Sequence, residues 1–582
     1  MNIQRTLVIA TTTLLLSIGL VSCSDGNHSG ASGNELLAYI PSDSPYFAGN
    51  LEPIPSDVIE AAFRRAQPVL DLVQEMLGDT SIRLSGSAAQ ENPEMAIVGA
   101  VLDELDGKLS REGLESIGFA LDAYQVVYGM GAFPVIRLSL GSAQALRDTV
   151  GRIESASGIN FPELEHQGQP YWKLDSGDSD TPASIYVAII EGPGAAHLAL
   201  GLLPHHSEST LLPQFLGQEL PSDSTAAAQL AALDRTYGYT GHGSGVFDFQ
   251  RTFEQLAAPE SMLNQALRNS GMDVSGKFDA VCRTEIEGLI DRAPRMVFGT
   301  TELEPMAMAA QYRVELAGDL ASDLADLVAD VPPAPSTTER LIEFAFGIRV
   351  GAARDFLIRK ATELSQEAYQ CEHLQDINRR ASEALVKLNT PVPPLVNNFL
   401  GFRASIDEMP QDQSDLSAVR GTMALHVTKP EMFVGMAQMF LPQMAEIELT
   451  KGAPPVQLPE SLMPMPGVVA YAAMSDRALG VAMGQGEDAR LPDFLNARSK
   501  GDGSFMSVNY DMAAYMDRFG AFSDGFRNQA FSNYSSETER NQAMDLAQAF
   551  QDAFRNTIGR SHMSLRFDDG GFAIDNKMEF KE

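Results

Sequence analysis

Ser184-Ile-Tyr-Val-Ala-Ile-Ile190, then Glu191-Gly-Pro-Gly194, then His197-Leu-Ala-Leu-Gly-Leu202, decide the fold class of this chain. Two short runs rich in β-branched and apolar residues flank a Gly/Pro turn, the pattern of a β-hairpin. The same cadence returns in Gly467-Val-Val-Ala-Tyr-Ala-Ala473, a Ser-Asp turn and Ala478-Leu-Gly-Val-Ala-Met483. A short Phe-bearing helix is expected after each, over 211–216 and 490–495.

Three further landmarks recur in the same order. Before each hairpin stands a strand followed by a helix: Pro134-Val-Ile-Arg-Leu-Ser-Leu140 with 143–155, and Thr422-Met-Ala-Leu-His-Val427 with 430–447. Pro430 suits the first helical turn, where its missing N–H leaves nothing unsatisfied. After each hairpin a strand enters an aromatic-bearing helix: Ser244-Gly-Val-Phe-Asp-Phe249 with 252–256, and Ser504-Phe-Met-Ser-Val-Asn-Tyr510 with 512–519. A helix and a closing hairpin finish each copy, over 277–290 and 295–316, then 537–558 and 562–580. In the closing strands Met308, Ala310, Tyr312, Val314 and Leu316 alternate with polar neighbours, as do Met563, Leu565 and Phe567. A period of two places one face on a core and one in water.

The fold class read from these patterns is α+β: two similar domains with mainly antiparallel sheets and flanking helices, joined by a helical segment. The expected layout is a leader over 1–22, a tether over 23–34, a first domain with its entry segment over 35–330, a helical connector over 331–400 and a second domain over 401–582. The entry segment carries a helix over 56–77, with Val58, Ala62, Val69, Leu72, Val73 and Met76 at helical spacing. The connector opens on Pro332-Pro-Ala-Pro335, reads as two helices over 337–359 and 361–388, and closes on Thr390-Pro-Val-Pro-Pro394.

The N-terminus states an address. Arg5 precedes an apolar run from Leu7 to Val21, and Leu20-Val21-Ser22 then lead directly to Cys23. Fifteen residues are short of the roughly 20 that span a bilayer and suit a cleaved leader. This resembles a bacterial lipoprotein signal peptide with its lipobox. The resemblance implies cleavage before Cys23, a diacylglyceryl group on its sulfur and an acyl group on its new amine. Several acyl chains together anchor stably where one is marginal. Ser24, rather than Asp, resembles the residue of lipoproteins forwarded to the inner leaflet of the outer membrane, facing the periplasm. Residues 24–34 hold no large apolar side chain and read as a tether with a root-mean-square span of about 18 Å. The layout as a whole, opening on Ala38-Tyr-Ile-Pro-Ser-Asp-Ser-Pro-Tyr46, resembles uncharacterised tandem-domain bacterial envelope lipoproteins of unknown function, which carry over no catalytic residue.

Acylation of Cys23 leaves Cys282 and Cys371. Two cysteines in an oxidising compartment imply one disulfide. It would close a loop of about 90 residues, worth roughly 4 kcal/mol, and staple the connector helices onto the first copy. The 582 residues carry 42 basic and 77 acidic side chains, a net of −35 that loss of Arg5 with the leader takes to −36. So acidic a surface excludes nucleic acid and electrostatic docking to anionic lipid.

No motif for chemistry survives its structural requirements. Gly271-Met-Asp-Val-Ser-Gly276-Lys277 approaches a phosphate-binding loop, but Phe278 stands where Ser or Thr would hold magnesium. Gly241-His-Gly-Ser244-Gly245 lacks the glycines two residues either side of a nucleophilic serine. His205 and His206, with Glu208, fall on an expected strand that points adjacent side chains to opposite faces. Asp175, Asp178 and Asp180 lack the distal glutamate of a calcium loop. No cofactor and no metal are therefore expected. Methionine is the remaining oddity: 16 of 25 lie after residue 400. Met432, Met436 and Met439 share one helical stripe and form a candidate apolar groove.

The expected function is a lipid-anchored envelope protein, a non-enzymatic binding or scaffold module whose partners are the bilayer through Cys23 and an envelope protein or apolar ligand. A carrier using the Met-rich groove and a hydrolase whose residues converge only in the fold are the alternatives. A filled pair of cores favours a scaffold, a continuous apolar groove a carrier, and a convergent Ser/His/Asp set a hydrolase.

Overall fold

The computed structural model describes residues 33–83, 93–174, 183–192, 194–269, 271–272, 274–336, 340–391, 393–409, 418–463, 467–499, 501–517 and 537–581. The chain is α+β, with every registered pair of strands antiparallel. Its contacts divide it into two units: residues to 279 with 295–310 and 545–553, and residues 280–294, 311–544 and 554–582.

In the first unit the strands are β1 (Tyr46–Gly49), β2 (Gln125–Met130), β3 (Phe133–Ser139), β4 (Glu163–His166), β5 (Gln169–Leu174), β6 (Ala183–Ile190), β7 (His197–Pro204), β8 (Ser244–Asp248) and β9 (Arg295–Glu304). They pair in the order β4-β5-β6-β7-β3-β2-β1-β8-β9. In the second unit they are β11 (Ile342–Gly347), β12 (Phe399–Glu408), β13 (Arg420–Val427), β14 (Val456–Gln457), β15 (Ala470–Met474), β16 (Ala478–Met483), β17 (Ser504–Asp511), β18 (Ile558–Asp568) and β19 (Gly571–Phe580). Their order is β14-β15-β16-β13-β12-β11-β17-β18-β19. The strand that opens each unit lies in mid-sheet, and the four stretches that recur in the sequence occupy the same places in the two orders. The strand between β9 and β11, β10 (Ala307–Glu315), follows β9 after a tight turn.

The connector departs from its sequence reading. Ile342-Glu-Phe-Ala-Phe-Gly347, expected as helix, is β11, with Ala345 opposite both Arg403 and Ser507. Its apolar residues alternate with a period of two, and two neighbouring strands satisfy both of its edges. The helical pair follows, as Val350–Gln366 and Gln375–Leu388. It stands between β11 and β12 as Ser56–Arg83 and Pro93–Leu105 stand between β1 and β2. Cys282 and Cys371 are bonded, Sγ–Sγ 2.08 Å and Cα–Cα 4.5 Å. The bond joins helix Ala280–Ile290, which closes the first copy in sequence, to this helical pair, and by contacts both cysteines belong to the second unit.

The first unit has a filled apolar core. Phe47, Val126, Tyr128, Met130, Val135, Val246 and Val297 line one face of the sheet, beneath Leu211 and Phe215 of helix Glu208–Phe215 and Leu230 of helix Ala226–Tyr237. Each large side chain so buried stabilises the fold by about 1.5–3 kcal/mol. A second cluster, Ile54, Val58 and Ile59 with Leu114, Ile117 and Leu121, holds the entry helix Ser56–Arg83. In the closing strand β10 the sequence alternation holds but the faces are reversed. Gln311 and Arg313 are buried and Tyr312 is exposed. Arg313 grips the Asp568 carboxylate through two nitrogens, and Gln311 Nε2 donates to Asp575 Oδ1 at 2.7 Å. A paired polar group tolerates burial that an unpaired one does not.

Candidate functional site

The buried face of the second unit's strands differs in kind from that of the first unit's. The two faces correspond through a glycine under a helix. Gly201 on β7 sits beneath Phe215, and Gly480 on β16 beneath Leu495 of helix Leu491–Asn496. Gly201 is opposite Val135, and Gly480 is opposite Ala424. Counting outward by register, Tyr128 corresponds to Arg403, Met130 to Ser405, Phe133 to Thr422, Phe47 to Ala345 and Val246 to Ser507. Large apolar side chains have become small or polar ones. Also, helix Ala226–Tyr237 of the first unit lies between Phe215 and β8, whereas only residues 497–503 join Leu491–Asn496 to β17.

Two elements wall this face. On one side the segment 331–335 acts as a strap. Val331 packs on Gly347 and Gly401, where a Cβ would meet it at under 3.0 Å, so both positions require glycine for close approach. The Ala334 N–H donates to Ser507 Oγ at 2.7 Å, and Asn509 Nδ2 donates to the Pro335 carbonyl at 2.8 Å. On the other side Leu491 and Leu495 cover Ala424, Ala478 and Ala482. Between strap and helix lies the buried polar face of β12 with the adjoining parts of β11 and β13, termed the trough below.

The floor of the trough is polar and buried. Arg403 is 9% exposed, Ser405 1%, Thr422 1% and His426 4%. Ser405 is opposite both Glu343 and Thr422, while Arg403 lies two residues along on the same face. The Arg403 guanidinium rests on the Phe494 ring, 4.3 Å from its centroid. Burial pushes its pKa below the usual value, with Glu343 pulling the other way. Burial also pushes the His426 imidazole down to about 4, reinforced by Arg403, so its ring is neutral at pH 7. Among the described residues, Arg403 Nη1, Ser405 Oγ, Thr422 Oγ1 and His426 Nε2 are sealed from solvent with no hydrogen-bond partner. Each such group costs about 1–3 kcal/mol, and a charged one more.

An ion-pair chain forms the rim. Arg340 Nη1 bonds Asp407 Oδ1 at 2.7 Å, and Arg490 Nη1 bonds Asp407 Oδ2 at 2.6 Å. Arg490 also reaches Glu487 Oε2 and Arg420 reaches Glu487 Oε1, each at 3.0 Å. Arg340, Asp407, Arg420 and Arg490 are part-exposed, so the trough meets solvent here. Trough and rim together hold Arg340, Arg403, Arg420 and Arg490 against Glu343, Asp407 and Glu487. That is one net positive charge in a chain of −35.

The first unit treats its buried cation differently. Arg137 is fully buried on β3, with Nε bonded to Tyr128 Oη at 3.0 Å, Nη1 to His197 Nε2 at 3.0 Å and Nη2 to the Phe215 carbonyl at 2.7 Å. Its guanidinium lies 3.9 Å over the Tyr39 ring. Because Arg137 donates, His197 Nε2 accepts and the ring is neutral; burial first and Arg137 second hold its pKa down to about 4. This cation is satisfied within the fold.

The residues singled out in the sequence lie elsewhere. Cys23 falls outside the described residues, as do Asp175, Asp178 and Asp180. Met432 and Met436 are half-buried on helix Pro430–Phe440, while Met439 is 76% exposed beside exposed Phe440. The stripe thus runs from half-buried to open surface along one helix. His205 and His206 stand on a 3-10 turn rather than a strand. There Ser184 Oγ and His205 Nε2 lie 2.6 Å apart, a Ser–His contact no motif announced, with Ser184 only 2% exposed. Ser244 is buried on β8. Among the described residues no three His, Cys, Asp or Glu side chains form a metal-holding group, and no helix is long and apolar enough to cross a membrane. The polar trough was missed because its residues come from three strands that only the sheet register brings together. The chain matches no protein-family model, no curated protein and no solved structure.

Proposed function

We propose that this chain is a lipid-anchored protein of the bacterial cell envelope, held by acylated Cys23, and that it serves as a non-catalytic binding module facing the periplasm. The trough of the second unit is its binding element. The observation that carries the reading is the contrast between the buried strand faces of the two units. One face is a filled apolar core, whereas its counterpart bears Arg403, Ser405, Thr422 and His426 with buried polar atoms that no described residue satisfies. Two filled cores would suit a scaffold; an unsatisfied polar face suits a ligand. The Ser184–His205 contact is the observation on the side of a hydrolase. A serine this buried at a strand position is better suited to tying β6 to the turn after β7 than to meeting a substrate.

The test is mass spectrometry of the full-length protein, purified gently in detergent and sprayed under native conditions. A bound small molecule is expected, at reduced occupancy in Arg403→Gln. Ligand-free protein across several preparations from cells and from periplasm-conditioned buffer would overturn the binding reading. Labelling with radioactive palmitate tests the anchor separately: wild type incorporates it and Cys23→Ala does not.

A further inference from the structure

We propose that the C-terminal tip of helix Pro430–Phe440, Met439-Phe440-Leu441, enters the apolar edge of a lipid bilayer and sets which face of the body lies against the membrane. The tip is separate from the trough. The proposal rests on the reading of Cys23 as an anchor only for bringing a bilayer within reach.

Single exposed apolar residues are ordinary, whereas a contiguous group marks an interaction site. Met439 is 76% exposed, Phe440 74% and Leu441 47%, and among the described residues no other exposed large apolar side chains are neighbours in sequence. The corresponding helix of the first unit is finished differently. Helix Ala143–Ser157 follows β3 as Pro430–Phe440 follows β13. It carries Arg147, Asp148, Arg152 and Glu154, pairs Arg147 with Glu191 and Arg152 with Glu104, and has none of its large apolar side chains exposed. Its counterpart carries one charged residue, Glu431, and from Met432 to Ala445 no charge occurs in a chain of net −35.

Geometry selects a fluid phase over a protein groove. Successive helical residues point about 100° apart, and Leu441 follows in extended backbone. A groove takes side chains from one side of a helix, whereas Met439, Phe440 and Leu441 fan out around its end. Lipid chains accept all three at once. Exposure also rises along the helix, from half-buried Met432 and Met436 to open Met439 and Phe440, so the helix presents its tip and not its length.

The tip is built to enter an apolar phase as it stands. Within a bilayer, backbone polar groups need partners inside the protein. The Leu441 N–H donates to the Ala437 carbonyl and the Met444 N–H to the Leu441 carbonyl, each at 2.8 Å, and the Ile447 N–H donates to the Met444 carbonyl at 3.1 Å. Gln438 Nε2 donates to the Ile447 carbonyl at 3.1 Å, and buried Ile447 returns the chain to the body. Exposed Glu446 and Glu448 flank this return and hold insertion to interfacial depth, about 5–10 Å. The tip orients and the acyl chains hold; beside a membrane already held, a weak contact acts as an intramolecular one.

The experiment places an NBD dye on Phe440→Cys, or on Ser382→Cys as an exposed control, with Cys282 and Cys371 already bonded to each other. Acylated full-length protein is reconstituted on phosphatidylcholine vesicles, recovered by flotation and quenched with nitroxide-bearing lipid. The Phe440 probe is expected to shift to the blue and to be quenched about threefold or more above the Ser382 probe. In parallel, Cys23→Ala protein with the same probes is titrated with vesicles. Its Phe440 probe should respond with half-saturation on the order of 1 mM lipid, weaker than one myristoyl chain gives, and Met439→Ser/Leu441→Ser should raise that value about tenfold or more. Both of those side chains are exposed, so the variant spares the fold. A Phe440 probe that stays in water on floated protein overturns the proposal. A blue shift that grows with protein concentration in the absence of lipid overturns it too, since the tip would then join two copies. A lipid response in Cys23→Ala while the acylated protein fails to float upholds the tip and removes the anchor reading.

Discussion

Two buried arginines on corresponding sheet faces show how much one side chain's surroundings decide. Arg137 has every edge of its fork engaged by a neutral acceptor and an aromatic ring beneath it. Replacing it with Met strands Tyr128 Oη, His197 Nε2 and the Phe215 carbonyl at once. We expect Arg137→Met to lose about 3 kcal/mol in urea denaturation. The His197 pKa should also climb from about 4, because a neighbouring cation is gone while burial remains; proton NMR of the ring reads this directly. A loss under 1 kcal/mol with an unmoved His197 would show that the network contributes little. His197 and His426 also set the acid limit of the fold. Both are neutral when folded, with pKa values near 4 against an ordinary 6.5. The unfolded chain therefore takes up protons first as pH falls. Stability from these two rings is complete above pH 6.5 and declines as pH drops toward 4, by at most about 3 kcal/mol each. The urea midpoint should fall steeply across that window, and His197→Gln/His426→Gln should flatten the slope, relative to its own value at pH 7.5. An unchanged slope would assign the acid limit to other groups.

Between elements, a glycine lets a helix lie close on the sheet in each unit. A Cβ at Gly480 would lie 2.6 Å from Leu495 Cδ2 and 2.8 Å from Leu491 Cδ1, and one at Gly201 would lie 2.8 Å from Phe215 Cε2. Gly480→Val should lower stability by about 1–3 kcal/mol through overpacking; a neutral outcome in thermal denaturation would mean that helix Leu491–Asn496 lifts freely. The Cys282–Cys371 bond acts on a larger scale, closing a separation of 89 residues. Its removal by Cys282→Ser/Cys371→Ser should cost about 4 kcal/mol, and a reducing agent should do the same to the wild type alone. Hairpins were the legible elements, because β6–β7 and β18–β19 announce themselves by alternation and Gly or Asp turns. Strand β11 was not, since six alternating residues ahead of a long amphipathic helix read as that helix's first turns. The reversed faces of β10 were equally hidden. The Asp568 and Asp575 carboxylates, more than 250 residues away, make burial of Arg313 and Gln311 favourable.

At the scale of the molecule, fold and site differ in how far the sequence reveals them. Recurrence of four landmarks exposes the repeated strand order, because each landmark is local. The trough is invisible until β11, β12 and β13 are set side by side, since Glu343, Arg403, Ser405, Thr422 and His426 share no spacing in the chain. It becomes conspicuous only against its apolar counterpart, residue for residue in register. Charge, in contrast, is legible from composition alone and bears on how the protein sits at a membrane. The net of −35, or −36 on the proposed mature chain, repels an anionic lipid surface, where each basic residue near it would instead contribute about 1 kcal/mol of attraction. On the proposed anchoring, the acyl chains on Cys23 supply the attachment unaided, which two or more chains do. In flotation with vesicles, the full-length acylated protein should rise with neutral phosphatidylcholine, and Cys23→Ala should stay behind. Blending in phosphatidylglycerol should leave binding equal or weaker at low salt, with the difference vanishing at high salt as the surface potential is screened. Stronger flotation on anionic vesicles would reveal a basic docking face despite the overall charge, and flotation of Cys23→Ala would remove Cys23 as the anchor.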